Sequence, residues 1–383
     1  MTTMPAVVSP EDVGVSSEAL GELLARARKE VDEGLLPSSQ IALAKDGRLV
    51  AFETFGDATN DTRYVIFSAT KPFVASTVWL LLAEGKLSVT QRVAEIVPEF
   101  GTNGKDVITV EHVMLHTSGF PTPIFNPRHW DDRELRLQAF AQWGLDYEPG
   151  TRYWYHPTSA HWVLAEIIER VTGEDFRDVV RKRVVEPVGL PSFALGGAAA
   201  AEGPFAALEL RGEPMTPDEL EALLGIRELP FTEAADENLP NLNDPDARAV
   251  GIPGGGGVAT AADLALFYQA LMSNPNGLWD PELLADVTGR VWNNLPDPLL
   301  RVPASRGLGV IIAGDDGRAN MRGFGHTGSP RRFGHNGAAG QIAWGDPETG
   351  ISFGYCTNGI DRHMLRQGRR GVGLSSRAGA CVS

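Results

Sequence analysis

Ser68-Ala69-Thr70-Lys71 sets a hydroxyl and an amine three residues apart. A serine hydroxyl is a weak nucleophile until a base takes its proton. On a helix, residues three apart share a face, so Lys71 can reach Ser68. Pro72 is tolerated only in a helix's first turn, which puts Ser68 at the helix N-terminus. There the unpaired backbone N–H groups and the helix dipole favour a developing oxyanion. Taken alone, S-x-x-K also describes a helix cap followed by a surface lysine. The surroundings weigh towards chemistry. Phe67 and the apolar run Phe73–Leu82 describe a buried helix, on which a solvated lysine is out of place.

Further chemistry-bearing segments follow in order. Residues 109–119 read Thr-Val-Glu-His-Val-Met-Leu-His-Thr-Ser-Gly, and residues 148–157 read Glu-Pro-Gly-Thr-Arg-Tyr-Trp-Tyr-His-Pro. Gly254–Gly257 forms a glycine run, which lets backbone approach a site wall, and Thr260 with Asp263 makes a capping-box pattern. His335-Asn336-Gly337-Ala338 opens a last segment that reaches Trp344.

In this order the segments resemble the serine β-lactamase and penicillin-binding-protein superfamily, in its class C-like branch, and most of all the β-lactamase-fold carboxylesterases. The resemblance runs roughly from residue 10 to residue 365. It implies an acylated nucleophile at Ser68, with Lys71 as its base or as the group that keeps its base deprotonated. Tyr155 fills the slot of the family's Tyr-x-Asn motif and would pass a proton to the leaving group, then activate water. The backbone N–H groups of Ser68 and Ala338 would form the oxyanion hole. His335, Asn336 and Gly337 would line the substrate in the Lys-Thr-Gly slot, with Tyr153 and Trp344 as nearby walls. A phenol with its ordinary pKa of about 10 needs a cation to act as a base near neutrality, and Lys71 is the cation expected here. The two titrate as a pair, so the first proton acceptor stays open.

Two departures from the family pattern bear on substrate. Tyr155-His156-Pro157 lacks the amide of Tyr-x-Asn, and His335, mostly neutral at pH 7, replaces the lysine of Lys-Thr-Gly. Both favour esters over β-lactams or peptidoglycan. Arg331 and Arg332 are read as solvated charges rather than as carboxylate partners.

The elements that must position these residues follow from pattern. Ser16-Ser17-Glu18 caps a helix through about Glu33. Ile41–Leu43 and Leu49–Thr54 alternate around Asp46-Gly47 as a hairpin. Helices are expected at residues 68–85, 110–116, 132–144, 159–171, 175–186, 217–224 and 261–273, and again from Arg362. Strands are expected at 307–313, 332–335, 341–345 and 351–357. The fold class implied is α/β (α+β), β-lactamase-like: a mostly antiparallel sheet flanked by helices. Residues 1–75 and 300–383 would build the sheet from both chain ends. Residues 76–299 would form a mainly helical inserted domain, with a lid or insertion at 197–250. The Gly- and Ser-rich tail from Gly371 reads as disordered.

Composition narrows the function. The 383 residues carry 34 Lys and Arg against 49 Asp and Glu, a net charge of −15. That opposes nucleic-acid binding and docking on anionic membranes. No run of about 18 apolar residues marks a spanning helix. Residues 1–5 do not read as a signal peptide, so a cytoplasmic location is expected. Two cysteines are too few for a disulfide framework or a thiolate zinc site.

Three competing motifs are set aside. Gly350-Ile-Ser352-Phe-Gly354 matches G-x-S-x-G, but Ser352 lies in a strand-like run with no room downstream for separate triad loops. His112 and His116 stand four apart, yet the H-E-x-x-H glutamate is missing, so no metal is expected. The glycine run lacks the GK[ST] ending of a phosphate loop. The expected activity is hydrolysis of a small carboxylic ester through an acyl-serine intermediate, with no cofactor. The same mechanism also serves amides (β-lactams, D-amino-acid peptides, 6-aminohexanoate-type oligomers) and acyl transfer. A non-catalytic binding protein on the same fold is the alternative of a different class. The sequence leaves room for a homo-oligomer.

Overall fold

Two hairpin-forming runs from opposite ends of the chain meet in one sheet, in a computed structural model that describes residues 4–123, 125–225, 227 and 238–382. β1 (Ser38–Lys45) and β2 (Arg48–Gly56) turn at Asp46-Gly47, both with positive φ, the geometry that suits a tight hairpin. The remaining strands are short: β3 (Tyr64–Val65), β4 (Ala194–Leu195), β5 (Glu209–Arg211), β6 (Gly257–Ala259), β7 (Ile311–Ile312), β8 (Phe333–Gly334), β9 (Ile342–Gly345), β10 (Ile351–Thr357) and β11 (Gly359–Asp361). The main sheet runs β2-β1-β10-β9-β8-β7 and every pairing in it is antiparallel. A smaller sheet runs β3-β6-β4, and β5 pairs parallel with β11.

The helices that position the site are α1 (Ser17–Asp32), α2 (Lys71–Ala83), α3 (Ser159–Thr172), α4 (Ala261–Ser273) and α5 (Met364–Gly379). Side chains alternate across a strand, so each strand feeds two layers. Ile41 and Leu43 of β1, Trp344 of β9 and Phe353 and Tyr355 of β10 pack with Leu20, Leu23 and Ala27 of α1 and Leu374 and Ala378 of α5. Ala42, Ala44, Ala343 and Cys356 face the other way, into the core that holds α2 and α4. Both faces of the sheet are therefore covered, which explains why β1 and β10 are buried at nearly every position.

Several expectations hold to the residue. Ser16 caps α1 through its side chain, Thr260 and Asp263 form a reciprocal capping box on α4, and β10 spans residues 351–357. Others are corrected. The tail is not disordered from Gly371: it continues helix α5, with Leu374, Ala378 and Cys381 buried. A Cβ at Gly379 would sit 2.7 Å from Thr327 Oγ1, so that glycine serves close packing rather than chain freedom. The strand expected at 307–313 shrinks to β7, because Ser305 and Gly309 take positive φ. The helix expected at 175–186 is α-helical only to Val180 and then widens to a π turn over Arg181–Val185, ahead of Pro187, which brings no N–H. Within the expected lid, residues 197–250, the structure shows short helices and β5; residues 226 and 228–237 lie outside the described residues. Among the described residues no helix is long and apolar enough to cross a membrane.

Because α5 covers the sheet, Leu374→Ala is expected to destabilise the protein by about 2–5 kcal/mol. Urea unfolding of the variant measures this, and a change below about 0.5 kcal/mol would contradict the packing described.

Candidate active site

Ser68 sits where β3 hands over to α2. Ile66 donates its N–H to Gly257 O on β6, and a 3-10 turn over Phe67–Thr70 carries the chain into α2. Phe67 is held at φ 45°, an uncommon conformation for a bulky side chain. Thr70 secures the turn by donating to Phe67 O at 2.6 Å and accepting from Gly257 N at 3.0 Å. Strain of this kind collects at functional sites, where surrounding contacts over-determine the backbone.

Two groups converge on Ser68 Oγ. Tyr155 Oη donates to it at 2.8 Å, and Lys71 Nζ lies 3.2 Å away. Lys71 is fully buried and also donates to Pro157 O at 2.7 Å and Gly254 O at 2.6 Å. With two N–H groups on carbonyls, a deprotonated Nζ would keep its lone pair for the serine proton. Among the described residues no carboxylate lies within ion-pair distance of Lys71. Burial drives its pKa well below the ordinary lysine value, and the nearby Arg306 guanidinium adds to this. Burial likewise pushes the Tyr155 phenol up to about 12, opposed by its bond to Ser68 and by Arg306. Burial thus disfavours the charged form of both groups; Lys71 Nζ lies 5.0 Å from the Tyr155 ring centre and the Arg306 guanidinium 5.5 Å from it.

Gly254 has room for no side chain. A Cβ there would lie 2.9 Å from Pro157 O and 3.3 Å from Lys71 Nζ. The glycine run thus brings backbone against Lys71, as its composition suggested.

Arg306 was not singled out in the sequence. It is buried, with its guanidinium over the rings of Tyr153 and Tyr155 at 5.3 and 5.5 Å. It donates to Tyr153 Oη and to His335 Nε2. The acceptor role of Nε2 fixes the His335 proton on Nδ1, which donates to Asn336 O at 2.9 Å. Burial and Arg306 keep His335 uncharged. An arginine alone in the apolar stretch 302–313 was the available signal.

The other expected site residues divide. Tyr153 is at the site through Arg306, and the His335 ring lies 5.9 Å from that of Tyr155. Gly337 abuts the turn that carries Ser68: a Cβ on it would meet Ile66 O far inside contact distance. Ala338 follows in a tight turn in which Ala339 takes φ 58°. Asn336 spends its side chain on scaffold, accepting from Ala343 N and donating to Gly323 O. Trp344 is not a site wall. Strand alternation points it to the α1–α5 side, where it donates to Ser375 Oγ. Arg332 is not a solvated charge, since it is buried and donates to Ser329 O and Phe324 O. Ser352 is buried and committed to Ala265 O and Gln269. His112 and His116 do not share a helix face, because the helix ends at Met114 and His116 turns left-handed at φ 58°.

Comparison with known proteins identifies the family and the fold. A sequence model of the Beta-lactamase family matches residues 24–375. The chain belongs to the Beta-lactamase family, whose fold carries serine hydrolases that include carboxylesterases and amidases. It is 29% identical over 325 residues to "Esterase/beta-lactamase LipL" of Mycobacterium tuberculosis, covering 78% of this chain and 70% of that one. A penicillin-binding protein homolog from Caulobacter crescentus superposes with a TM-score of 0.78 at 25% identity, covering 96% and 99% of the two chains. EstA from Arthrobacter nitroguajacolicus Rue61a superposes with a TM-score of 0.77 at 22% identity over the whole of both chains.

Proposed function

We propose that this protein hydrolyses a carboxylic ester through a covalent intermediate on Ser68. The observation that carries the reading is the convergence of Tyr155 Oη and the buried Lys71 Nζ on Ser68 Oγ. Lys71 takes the hydroxyl proton as Ser68 Oγ bonds to the carbonyl carbon. The backbone N–H groups of Ser68 and Ala338 hold the oxyanion. As the ester C–O bond breaks, Tyr155 gives its proton to the departing alkoxide, and the proton on Lys71 restores the phenol. Water then attacks the acyl-serine, gives its proton to the same pair, and releases the acid and a protonated Ser68. Neutral His335 in place of a lysine supports esters, and so does the likeness to an esterase.

The test is intact mass after a fluorophosphonate probe, with nitrophenyl ester turnover, on wild type and Ser68→Ala. A single adduct and turnover that both vanish in the variant are expected. An adduct that survives in Ser68→Ala places the nucleophile elsewhere. Wild type that neither labels nor turns over removes the enzymatic reading in favour of a binding protein.

One observation favours a second reading, an amide substrate bearing a carboxylate. Among the described residues no carboxylate lies within ion-pair distance of Arg306, and its Nε has no partner. A buried guanidinium beside the nucleophile matches a carboxylate from the substrate. Release of D-alanine from an N-acyl-D-alanyl-D-alanine peptide, faster than the ester and lost in Arg306→Met, would select this reading.

A further inference from the structure

Tyr155 lies in a loop, residues 151–158, with no helix or strand to hold it. Its neighbours are tied to one segment, residues 116–120. Trp154 N donates to His116 O at 3.1 Å, and His156 N donates to His116 Nδ1 at 3.2 Å. Gly150 N donates to Thr117 O and Asp146 N to Gly119 O. In return Phe120 N donates to His156 Nε2 at 3.3 Å, and His156 Nδ1 donates to Trp154 O. The two hydrogen bonds that bracket Tyr155 both end on His116.

His116 sits among the rings of Tyr153, Tyr155, His156 and His161. It is buried, and its left-handed backbone, φ 58°, turns both its carbonyl and its ring towards the Tyr155 loop. The ring lies 4.9 Å from that of Tyr155, at an angle of 47°. Because Nδ1 accepts, the ring must be uncharged, and burial keeps it so. A histidine is thus held in a strained backbone conformation to present one acceptor to one amide.

We infer that His116 is the positioning residue that sets Tyr155 Oη on Ser68 Oγ. This rests on reading Ser68, Lys71 and Tyr155 as the acyl-transfer groups. Removing the acceptor lets the 154–156 backbone relax, and the phenol moves off the serine. Binding of the ester is little affected, because His116 is buried behind Tyr155.

Two variants separate the side chain from the backbone. His116→Gly keeps the left-handed conformation and removes the acceptor. His116→Asn keeps both, since asparagine tolerates this conformation and carries an amide oxygen on Cγ. We expect kcat for the ester to fall about 100-fold in His116→Gly with KM little changed, and to return to within about fivefold of wild type in His116→Asn. His116→Ala is carried in parallel in case the glycine variant does not accumulate. Crystal structures of the variants read the Tyr155 Oη–Ser68 Oγ distance without reference to turnover. Separation beyond about 3.5 Å in the glycine or alanine variant is expected. The inference is overturned if that distance stays at the 2.8 Å of the wild type. It is overturned equally if KM rises while kcat holds, or if His116→Asn is as impaired as His116→Gly. Failure of the acyl-serine reading would show instead as a wild type without turnover, with the distance test still decided by the crystals.

Discussion

Lys71→Met is expected to slow acylation by about 10³- to 10⁴-fold, because it removes the proposed base while filling nearly the same volume. The pH profile carries the sign. Lys71 acts only when deprotonated, and burial has pulled its pKa well below the ordinary value of 10.5. Wild-type kcat/KM therefore rises as pH increases through that lowered pKa. It holds until Tyr155 ionises near 12 and can no longer donate to the leaving group. Stability follows the same linkage. An unfolded lysine binds its proton below about pH 10.5 and the folded one does not, so burying Lys71 costs stability progressively as pH falls from 10.5 towards the lowered value. The methionine variant sheds that cost but leaves Pro157 O and Gly254 O without their donor, at about 1–3 kcal/mol each. Single-turnover acylation across pH, with urea unfolding at two pH values, measures both effects. A methionine variant that still acylates within tenfold of wild type would move the base to Tyr155.

Gly337→Ala is expected to lower kcat by about 10²- to 10³-fold with KM nearly unchanged, equivalent to about 2.7–4 kcal/mol of transition-state stabilisation. Proline would delete the Ala338 N–H but also disrupt the turn, so displacing the amide is the milder test. Gly337 has φ −98°, so its conformation suits any residue, and its need is for space alone. A methyl group there runs into Ile66 O and approaches Gln341 Cβ to 2.9 Å. Ile66 leads into Ser68, and Gly337 leads into Ala338. The clash therefore pushes apart the two segments that carry the proposed oxyanion donors. Steady-state kinetics with a short-chain nitrophenyl ester, alongside a melting curve, distinguish lost alignment from lost folding. Retained kcat would place the oxyanion elsewhere.

The helix that follows Ser68 was legible because its signals are local. Pro72 after Lys71 and the apolar run behind it dictate both helix and burial. The hairpin at Asp46-Gly47 and the capping box at Thr260 were legible for the same reason. Arg306 was not, because its meaning depends on Tyr153, Tyr155 and His335, which reach it from distant parts of the chain. Trp344 failed for a narrower reason. Strand register decides which face a side chain takes, and a shift of one residue reverses it. The α5 tail misled because glycine signals both freedom and close packing, and only the neighbour, Thr327, tells which.

The sheet joins strands that lie far apart in the sequence. Ser38 Oγ donates to Asn358 Oδ1 across 320 positions of sequence, and β1 has β10 as its inner neighbour. During vectorial synthesis the β1–β2 hairpin therefore waits, one edge open, until β10 has been made. An open apolar edge is a template for other chains. Nascent or truncated products that lack β10 have every reason to aggregate. The hairpin stays unpaired on that side until β10 follows, and Ser68 stays without the turn after Gly337 for the same interval.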